Sequence, residues 1–227
     1  MSNRILDALP SAEQQLIEPH LMKIPLVAQQ VVMPRAHQIA ELMFLEMGLV
    51  SMTVSPDGNG ETEVGLIGNE GCVGVGAMMN DAVLPLEQAM VQVAGSGWRL
   101  NADKARAVLP ECPKFHGHCL RFATAMMGQT SQIAGCNLRH TVGERLARWL
   151  LMTRDRIQSD TLPLTQEFLS IMLGTRRAGV SVAAQTLQAA GIIEQGRGRV
   201  IVRDVAGLEN AACPCYPLLR SLYETAF

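Results

Sequence analysis

The stretch from Leu164 to Val202 constrains the fold of this chain more than any other. Thr165 is a hydroxyl N-cap for a short helix that Gly174 ends. The apolar residues of that helix recur at helical spacing: Phe168, Leu169, Met172 and Leu173. A second amphipathic helix follows after a tight turn. This pattern predicts a helix-turn-helix motif, whose second helix enters the major groove of DNA.

The second helix is predicted to begin with Thr175 as its cap and to stop at Gly191. Its expected buried stripe is Val180, Ala183, Ala184, Leu187 and Ala190. The opposite face carries Arg177, Ala178, Ser181, Val182 and Gln185, and this face would meet the base edges. Arg177 is placed to reach guanine with a bidentate fork, while the methyl groups of Ala178 and Val182 suit contact with thymine methyl groups.

A short hairpin follows this helix and predicts a winged version of the motif. Ile192-Ile193 and Val200-Ile201-Val202 flank the turn Gly196-Arg197-Gly198, as in a two-stranded ribbon. Arg197 and Arg199 lie at the tip, where they would meet phosphates. The full set of predicted DNA contacts is Thr165, Gln166, Thr175, Arg176, Arg177, Ala178, Ser181, Val182, Gln185, Arg197 and Arg199.

The sequence of this region resembles the Crp/Fnr family of bacterial transcription factors, named after the cyclic-AMP receptor and the fumarate-nitrate regulator. The resemblance rests on Leu164-Thr165-Gln166-Glu167, Leu173-Gly174-Thr175-Arg176-Arg177, Val180, Leu187, Ala190-Gly191-Ile192-Ile193 and the arginine-flanked hairpin. It implies a homodimeric transcriptional regulator that binds near-palindromic double-stranded DNA, with RNA polymerase as a further partner to consider. It also assigns a guanine contact to Arg177. Members resembling the cyclic-AMP receptor have Glu and Arg where Ala178 and Val182 stand, so we expect a different half-site here.

The segment from residue 21 to residue 100 consists of short apolar runs separated by turn signals, and it predicts antiparallel β-structure. Separate strands are expected at residues 39–44 and 48–54. The resemblance makes this segment a double-stranded β-roll like the cyclic-nucleotide-binding domain. The expected fold is therefore α+β. Its parts are a sensor-like roll with N-terminal helices (residues 1–110), a connecting dimerisation helix (111–138) and the winged helix-turn-helix domain with a C-terminal tail (139–227).

The β-roll lacks the residues with which cyclic-nucleotide binders of this family hold the ligand. Those proteins use a Gly-Glu pair for the ribose and an Arg followed by Ser or Thr for the phosphate. No Arg or Lys occurs between Arg35 and Arg99, and Glu87 would repel a phosphate. We expect no control by cyclic AMP. The roll is either a sensor for another ligand or a structural support.

One long helix is predicted between Pro113 and Leu138. A first stripe at three- and four-residue steps predicts a two-fold dimer seam: Phe115, Cys119, Phe122, Met126, Ile133 and Asn137. A second stripe would then pack on the roll of the same subunit: Leu120, Met127, Ala134 and Leu138. The alternative is an ordinary core helix. After it, Thr141 is expected to cap the first helix of the DNA-binding domain.

Composition and charge fit a globular regulator better than a membrane or secreted protein. The chain has 227 residues, 48% of them hydrophobic, with a net charge of −2. Basic charge collects near the DNA motif, where residues 139–203 hold ten Arg against five acids. A signal peptide and a long apolar span are both missing, so we expect a cytoplasmic protein without a membrane partner.

The cysteines and the short motifs give weaker signals. Cys112, His116 and Cys119 share one helix face and suggest a metal site, and Cys213-Pro214-Cys215 suggests thiol switching. Core and interface packing explains the spacing of Cys112, His116 and Cys119, so no metal or cofactor is assigned. Enzyme motifs are absent, and we expect no enzyme activity. The competing hypothesis is a ligand, metal or redox sensor on the same fold with weak or no DNA activity. Pro214 and Pro217 predict a helix break before an apolar tail.

Overall fold

The computed structural model describes residues 2–58, 60–79 and 84–225, without the side chains of Gln166 and Glu167. These residues form an α+β protein, as predicted. The chain divides into two compact units. The first contains Met1–Met52, Ile67–Gly128 and Leu222–Phe227, and the second contains Thr53–Leu66 and Gln129–Ser221. The predicted domain boundaries at residues 110 and 138 stay a prediction.

The elements up to residue 139 comprise short N-terminal helices, the strands of the large sheet and the long helix. They are α1 (Arg4–Asp7), α2 (Ser11–Ile17), β1 (Met22–Leu26), β2 (Val31–Met33), β3 (Glu41–Val54), β4 (Thr62–Ile67), β5 (Cys72–Val73), β6 (Gln88–Asn101), α3 (Ala102–Val108) and α4 (Pro113–Arg139). The sheet has the order β1–β6–β3–β4, with β2 paired to β6 and β5 to β3. β1 and β6 are antiparallel, with Met22 opposite Arg99.

A single long strand replaces two predicted strands. β3 runs unbroken from Glu41 to Val54, because Gly48 continues the strand with φ of 98°, a conformation that favours glycine. A Cβ atom at this position would lie 2.6 Å from the carbonyl oxygen of Val93. The glycine therefore permits a close backbone approach inside the sheet, where the sequence pattern predicts a turn.

The structure corrects the assignment of the two stripes on α4. Phe115, Cys119 and Phe122 are fully buried within one chain, and Ile133 is 4% exposed. The Phe115 ring lies 5.9 Å from that of Phe44. These side chains fill the core and cannot meet a partner, while Met126 and Asn137 are half-buried. Four of the six residues of the predicted dimer seam thus belong to an intrachain core stripe. All four residues of the second stripe are exposed instead: Leu120, Met127, Ala134 and Leu138.

The elements after residue 139 form a helical domain with a small sheet. They are α5 (Val142–Ile157), β7 (Thr161–Leu162), α6 (Gln166–Met172), α7 (Arg177–Ala189), β8 (Ile193–Gly196), β9 (Arg199–Val202), α8 (Val205–Ala211) and α9 (Cys215–Glu224). The small sheet has the order β7–β9–β8. The predicted break at Pro217 is wrong, because this proline lies in the first turn of α9, where a helix needs no amide donor.

Two polar contacts organise the second unit. Thr141 caps α5 as predicted: its backbone N–H donates to Glu144 Oε2 at 2.8 Å, and its hydroxyl accepts from the Glu144 N–H at 3.3 Å. Trp149 of α5 is 1% exposed and donates its indole N–H to Glu63 Oε1 at 2.7 Å. α5 is thereby fixed at its start and at its centre. Across the described ranges, none of the helices is both long and apolar enough to cross a membrane.

Candidate nucleic-acid interface

α6 and α7 meet at a tight turn built around Gly174. The Thr165 hydroxyl accepts from the Phe168 N–H at 3.2 Å, so Thr165 is the N-cap of α6 as predicted. Gly174 has φ of 55°, the left-handed conformation that ends a helix. The N-cap of α7 is Arg176 rather than the predicted Thr175, because the Thr175 N–H still bonds to the Ser170 carbonyl at 3.1 Å and closes the preceding turn.

One face of α7 is buried and fixes the helix on its neighbours. Val180 is fully buried and Ala184 is 1% exposed, and α7 packs on both α5 and α6. Gly191, with φ of 73°, ends the helix as predicted. Ala190 was expected in the buried stripe but is exposed, because it forms the C-cap of α7 beyond the last packed turn. The buried stripe therefore stops at Leu187.

The opposite face of α7 is open to solvent along its N-terminal half. Arg177, Ala178, Val182 and Gln185 are exposed there, and Ser181 is half-buried. Val182 is 63% exposed, which is high for a branched apolar residue. Apolar methyl groups and a guanidinium on one face offer both kinds of major-groove contact, a bidentate hydrogen bond and packing against thymine methyl groups.

The hairpin after α7 is the predicted wing, with β7 as an unpredicted third strand. β8 and β9 are antiparallel, with Gly196 opposite Arg199. The Gln195 N–H donates to Gln188 Oε1 at 2.8 Å, which ties the wing to the end of α7. Arg197 and Arg199 are exposed. Arg203, by contrast, donates to Glu194 Oε2 at 3.0 Å. The two tip arginines are thus the wing cations best placed for a phosphate.

The predicted contact residues differ in how available they are. Arg176 is exposed and Thr175 is half-buried. The Thr165 hydroxyl is occupied by its cap bond. The side chain of Gln166 lies outside the described residues. Seven of the predicted contact residues are therefore exposed on the turn, on α7 and on the wing: Arg176, Arg177, Ala178, Val182, Gln185, Arg197 and Arg199.

Part of the basic charge of this domain is inside it. Arg145 and Arg148 on α5 are 7% and 2% exposed. Burial lowers the pKa of Arg145. The count of ten arginines against five acids in residues 139–203 does not separate these two buried side chains from the exposed ones. The cations on the turn, α7 and the wing are exposed and can face DNA.

The two cysteine patterns of the sequence have different surroundings in the structure. Cys112 and Cys119 are fully buried, and burial raises the pKa of Cys119 to about 12, so both are core thiols. Within the described ranges they join no group of metal-binding side chains. Cys213 and Cys215 do join one, together with Cys136 and His140. Sequence reasoning missed this group because Cys136 and Cys213 lie 77 residues apart.

Comparison with known proteins agrees with this geometry. Residues 144–211 match the family model of the Crp-like helix-turn-helix domain. This segment is a Crp-like helix-turn-helix domain. The matched segment begins just after the Thr141 cap and contains α6, α7 and the wing, so this protein carries a Crp-like helix-turn-helix DNA-binding domain.

Solved structures of transcriptional regulators share the fold of most of this chain. FixK2 from Bradyrhizobium japonicum is 13% identical, with a TM-score of 0.71, over 85% of this chain and 98% of its own. CLP, a c-di-GMP-responsive global regulator from Xanthomonas campestris, is 14% identical, with a TM-score of 0.71, over 85% and 99%. A Crp-family transcriptional regulator from Thermus thermophilus is 21% identical, with a TM-score of 0.68, over 83% and 96%. A search of curated protein sequences gave no match.

Proposed function

We propose that this protein is a member of the Crp/Fnr family and regulates transcription as a homodimer that reads a near-palindromic operator with α7. The observation that carries the proposal is the exposed face of Arg177, Ala178, Val182 and Gln185, which the buried stripe holds outward. Recognition helices of this motif contact base edges with their N-terminal residues. The exposed wing arginines supply sequence-independent phosphate contacts.

Arg177 and Arg197 have separable roles in this proposal. Arg177 is the first residue of α7, so its guanidinium would reach guanine O6 and N7. Arg177→Ala should cost about 1–3 kcal/mol of specific binding and relax the preference at one base per half-site. Arg197→Ala should weaken binding to all sequences alike and reduce the dependence of affinity on salt.

Selection from a randomised duplex library, followed by titration at several salt concentrations, measures both effects. Arg203→Ala is the matched control, because this wing arginine already has Glu194 as its partner. Its affinity should change less than that of Arg197→Ala. An unchanged base preference in Arg177→Ala would contradict the readout role of α7. A lost base preference in Arg197→Ala would contradict the division between the helix and the wing.

The dimer contact that we propose is the exposed seam of α4. Six exposed residues follow one another at alternating four- and three-residue steps: Leu120, Thr124, Met127, Ser131, Ala134 and Leu138. Such spacing is that of a two-stranded coiled coil, and the small residues among them allow two helices to approach closely. A two-fold axis along this seam would present two copies of α7 to half-sites about 34 Å apart.

We also propose that cyclic AMP does not control the protein. Arg99, the first basic residue after the gap in basic charge, pairs with Glu41 at 3.5 Å. A cyclic nucleotide in the roll would bury its phosphate without a cation, which is unfavourable. Calorimetric titration and operator binding with and without cyclic AMP test this. Micromolar binding or a tenfold gain in DNA affinity would contradict it, since a ligand shifts the active state only through differential affinity.

The remaining parts of the proposal follow from DNA binding. A regulator of this kind acts by occupying DNA, with RNA polymerase as the partner it recruits or blocks, and not by catalysis. We place it in the cytoplasm, where that DNA is. Transcription in vitro from an operator-bearing promoter, with the purified protein and RNA polymerase, measures the direction of the effect.

A further inference from the structure

Four side chains of types that bind metals in other proteins meet at one place in the second unit. Cys136 and His140 are one turn apart at the end of α4, and Cys213 and Cys215 join α8 to α9. One ligand atom from each of the four lies within 4.8 Å of all the others. The three cysteines are at most 2% exposed, and His140 is half-buried. The group, here called the cysteine–histidine cluster, is thus drawn from two segments distant in sequence.

The spacing within the cysteine–histidine cluster fits one tetrahedral ion. Zinc–sulfur and zinc–nitrogen bonds of about 2.3 Å and 2.0–2.1 Å place tetrahedral sulfur–sulfur pairs about 3.8 Å apart and sulfur–nitrogen pairs about 3.6 Å apart. Cys136 Sγ lies 3.5 Å from Cys213 Sγ. His140 Nδ1 lies 3.4 Å from Cys136 Sγ and 3.6 Å from Cys215 Sγ. An iron–sulfur cluster would hold its cysteines farther apart, because several iron and sulfide atoms stand between them.

The charges around the cluster point to the same ligand. Arg145 and Arg148 are both buried and electrostatically coupled to the thiols of Cys136 and Cys213. Arg145 donates to the Leu173 carbonyl, and Arg148 donates to Met152 Sδ at 3.2 Å. The Nε atoms of both arginines lack a hydrogen-bond partner among the described residues. In that part of the chain neither guanidinium has a carboxylate partner, although buried charges are normally paired.

Three protonated thiols are neutral, so they offer no negative charge to Arg145 and Arg148. A divalent ion bound by three thiolates and one neutral imidazole carries a net negative charge, which would offset the buried cations. Zinc accepts this set of three cysteines and one histidine, and sites with four protein ligands are structural because no coordination position stays open. The Gln132 amide also donates to Cys215 Sγ at 3.1 Å, a contact typical of the outer shell of a thiolate site.

We propose that Cys136, His140, Cys213 and Cys215 bind a single zinc ion, which fastens the end of α4 to the α8–α9 junction. His140 directly precedes the Thr141 cap of α5, so the ion would fix the chain where the helix-turn-helix domain begins. The alternative is a disulfide between Cys136 and Cys213. That bond needs an oxidant and would consume two of the four ligands.

The test uses the full-length protein, purified under reducing conditions without a chelator. We expect one zinc per chain by elemental mass spectrometry. After exchange, Co²⁺ should give the strong visible bands of a tetrahedral thiolate site. His140→Gln removes one ligand at a half-buried helix end, and we expect zinc affinity against a chromophoric chelator to fall at least tenfold. His140→Cys restores four ligands and should restore tight binding. Cys112→Ala removes a buried cysteine outside the cysteine–histidine cluster and should leave metal content unchanged.

Several outcomes would overturn the proposal. These are a protein without metal, iron in place of zinc, a Cys136–Cys213 disulfide in the reduced preparation, or zinc affinity unchanged in His140→Gln. Cys213→Ser should also abolish the cobalt bands, and if it does not fold, the two His140 variants still decide. The readout is metal content, so the site stands or fails independently of the proposed DNA binding.

Discussion

Met127→Glu tests which face of α4 meets a second copy of the chain. Met127 is 64% exposed at the centre of the seam. Burying a whole methionine side chain contributes about 1.5–3 kcal/mol, so this exposed part contributes about 1–2 kcal/mol. A two-fold dimer buries Met127 of both chains, so the total contribution to dimer stability is about 2–4 kcal/mol. The dimer dissociation constant should then rise about 30- to 1000-fold, and more if the carboxylates meet.

Sedimentation velocity over a range of protein concentrations measures this constant. Thr130→Glu is the matched control, because it places the same charge on an exposed position of α4 outside the seam. It should leave the dimer intact. A Met127→Glu protein that stays dimeric at the concentrations of the parent would refute the seam.

A substitution in the buried stripe of α4 should lower the stability of the chain and leave the dimer intact. Phe122 is fully buried, and its ring fills the space above Gly71, where a Cβ atom would lie 2.0 Å from Phe122 Cε2. Phe122→Ala should lower the free energy of unfolding by about 3–5 kcal/mol. It should leave the dimer constant unchanged as long as the chain is folded. A fully stable but monomeric Phe122→Ala would restore the original seam.

Two further predictions concern single buried contacts. Trp149→Phe removes the donor to the Glu63 carboxylate, which is 3% exposed, and should lower the free energy of unfolding in urea by about 1–3 kcal/mol. Trp98→Phe is the control and should cost less, because the Glu46 carboxylate that Trp98 contacts keeps Lys23 as a partner at 3.1 Å. Burial lowers the pKa of His118 in the folded protein, so as the pH falls the unfolded chain takes up this proton before the folded chain does. The free energy of unfolding should therefore decrease as the pH drops below about 6.5 and through the pKa of the folded state. His118→Gln should flatten that fall, and a slope equal to that of the parent protein would contradict the assignment.

The sequence by itself determined the helix-turn-helix domain with its wing. Thr165, Thr141, Gly174 and Gly191 act within one turn of their own position, through a cap bond or a left-handed φ. Because these signals act through contacts within a few residues, they can be recognised without knowing how the rest of the chain folds. The apolar period of α7 likewise fixed which side of this helix is buried, because only one side carries apolar residues at every turn.

Only the tertiary structure decided which stripe of α4 lies inside. Core packing and a coiled-coil seam require the same spacing, so the sequence of this helix shows two suitable faces and does not say which one the sheet covers. Phe122 turned inward because Gly71 leaves room for its ring. The cysteine–histidine cluster was also decided by the tertiary structure. Cys136 and His140 supply only two of the four ligands, and the fold brings Cys213 and Cys215 next to them. A metal site depends on the positions of its ligands in space and not on their separation along the chain.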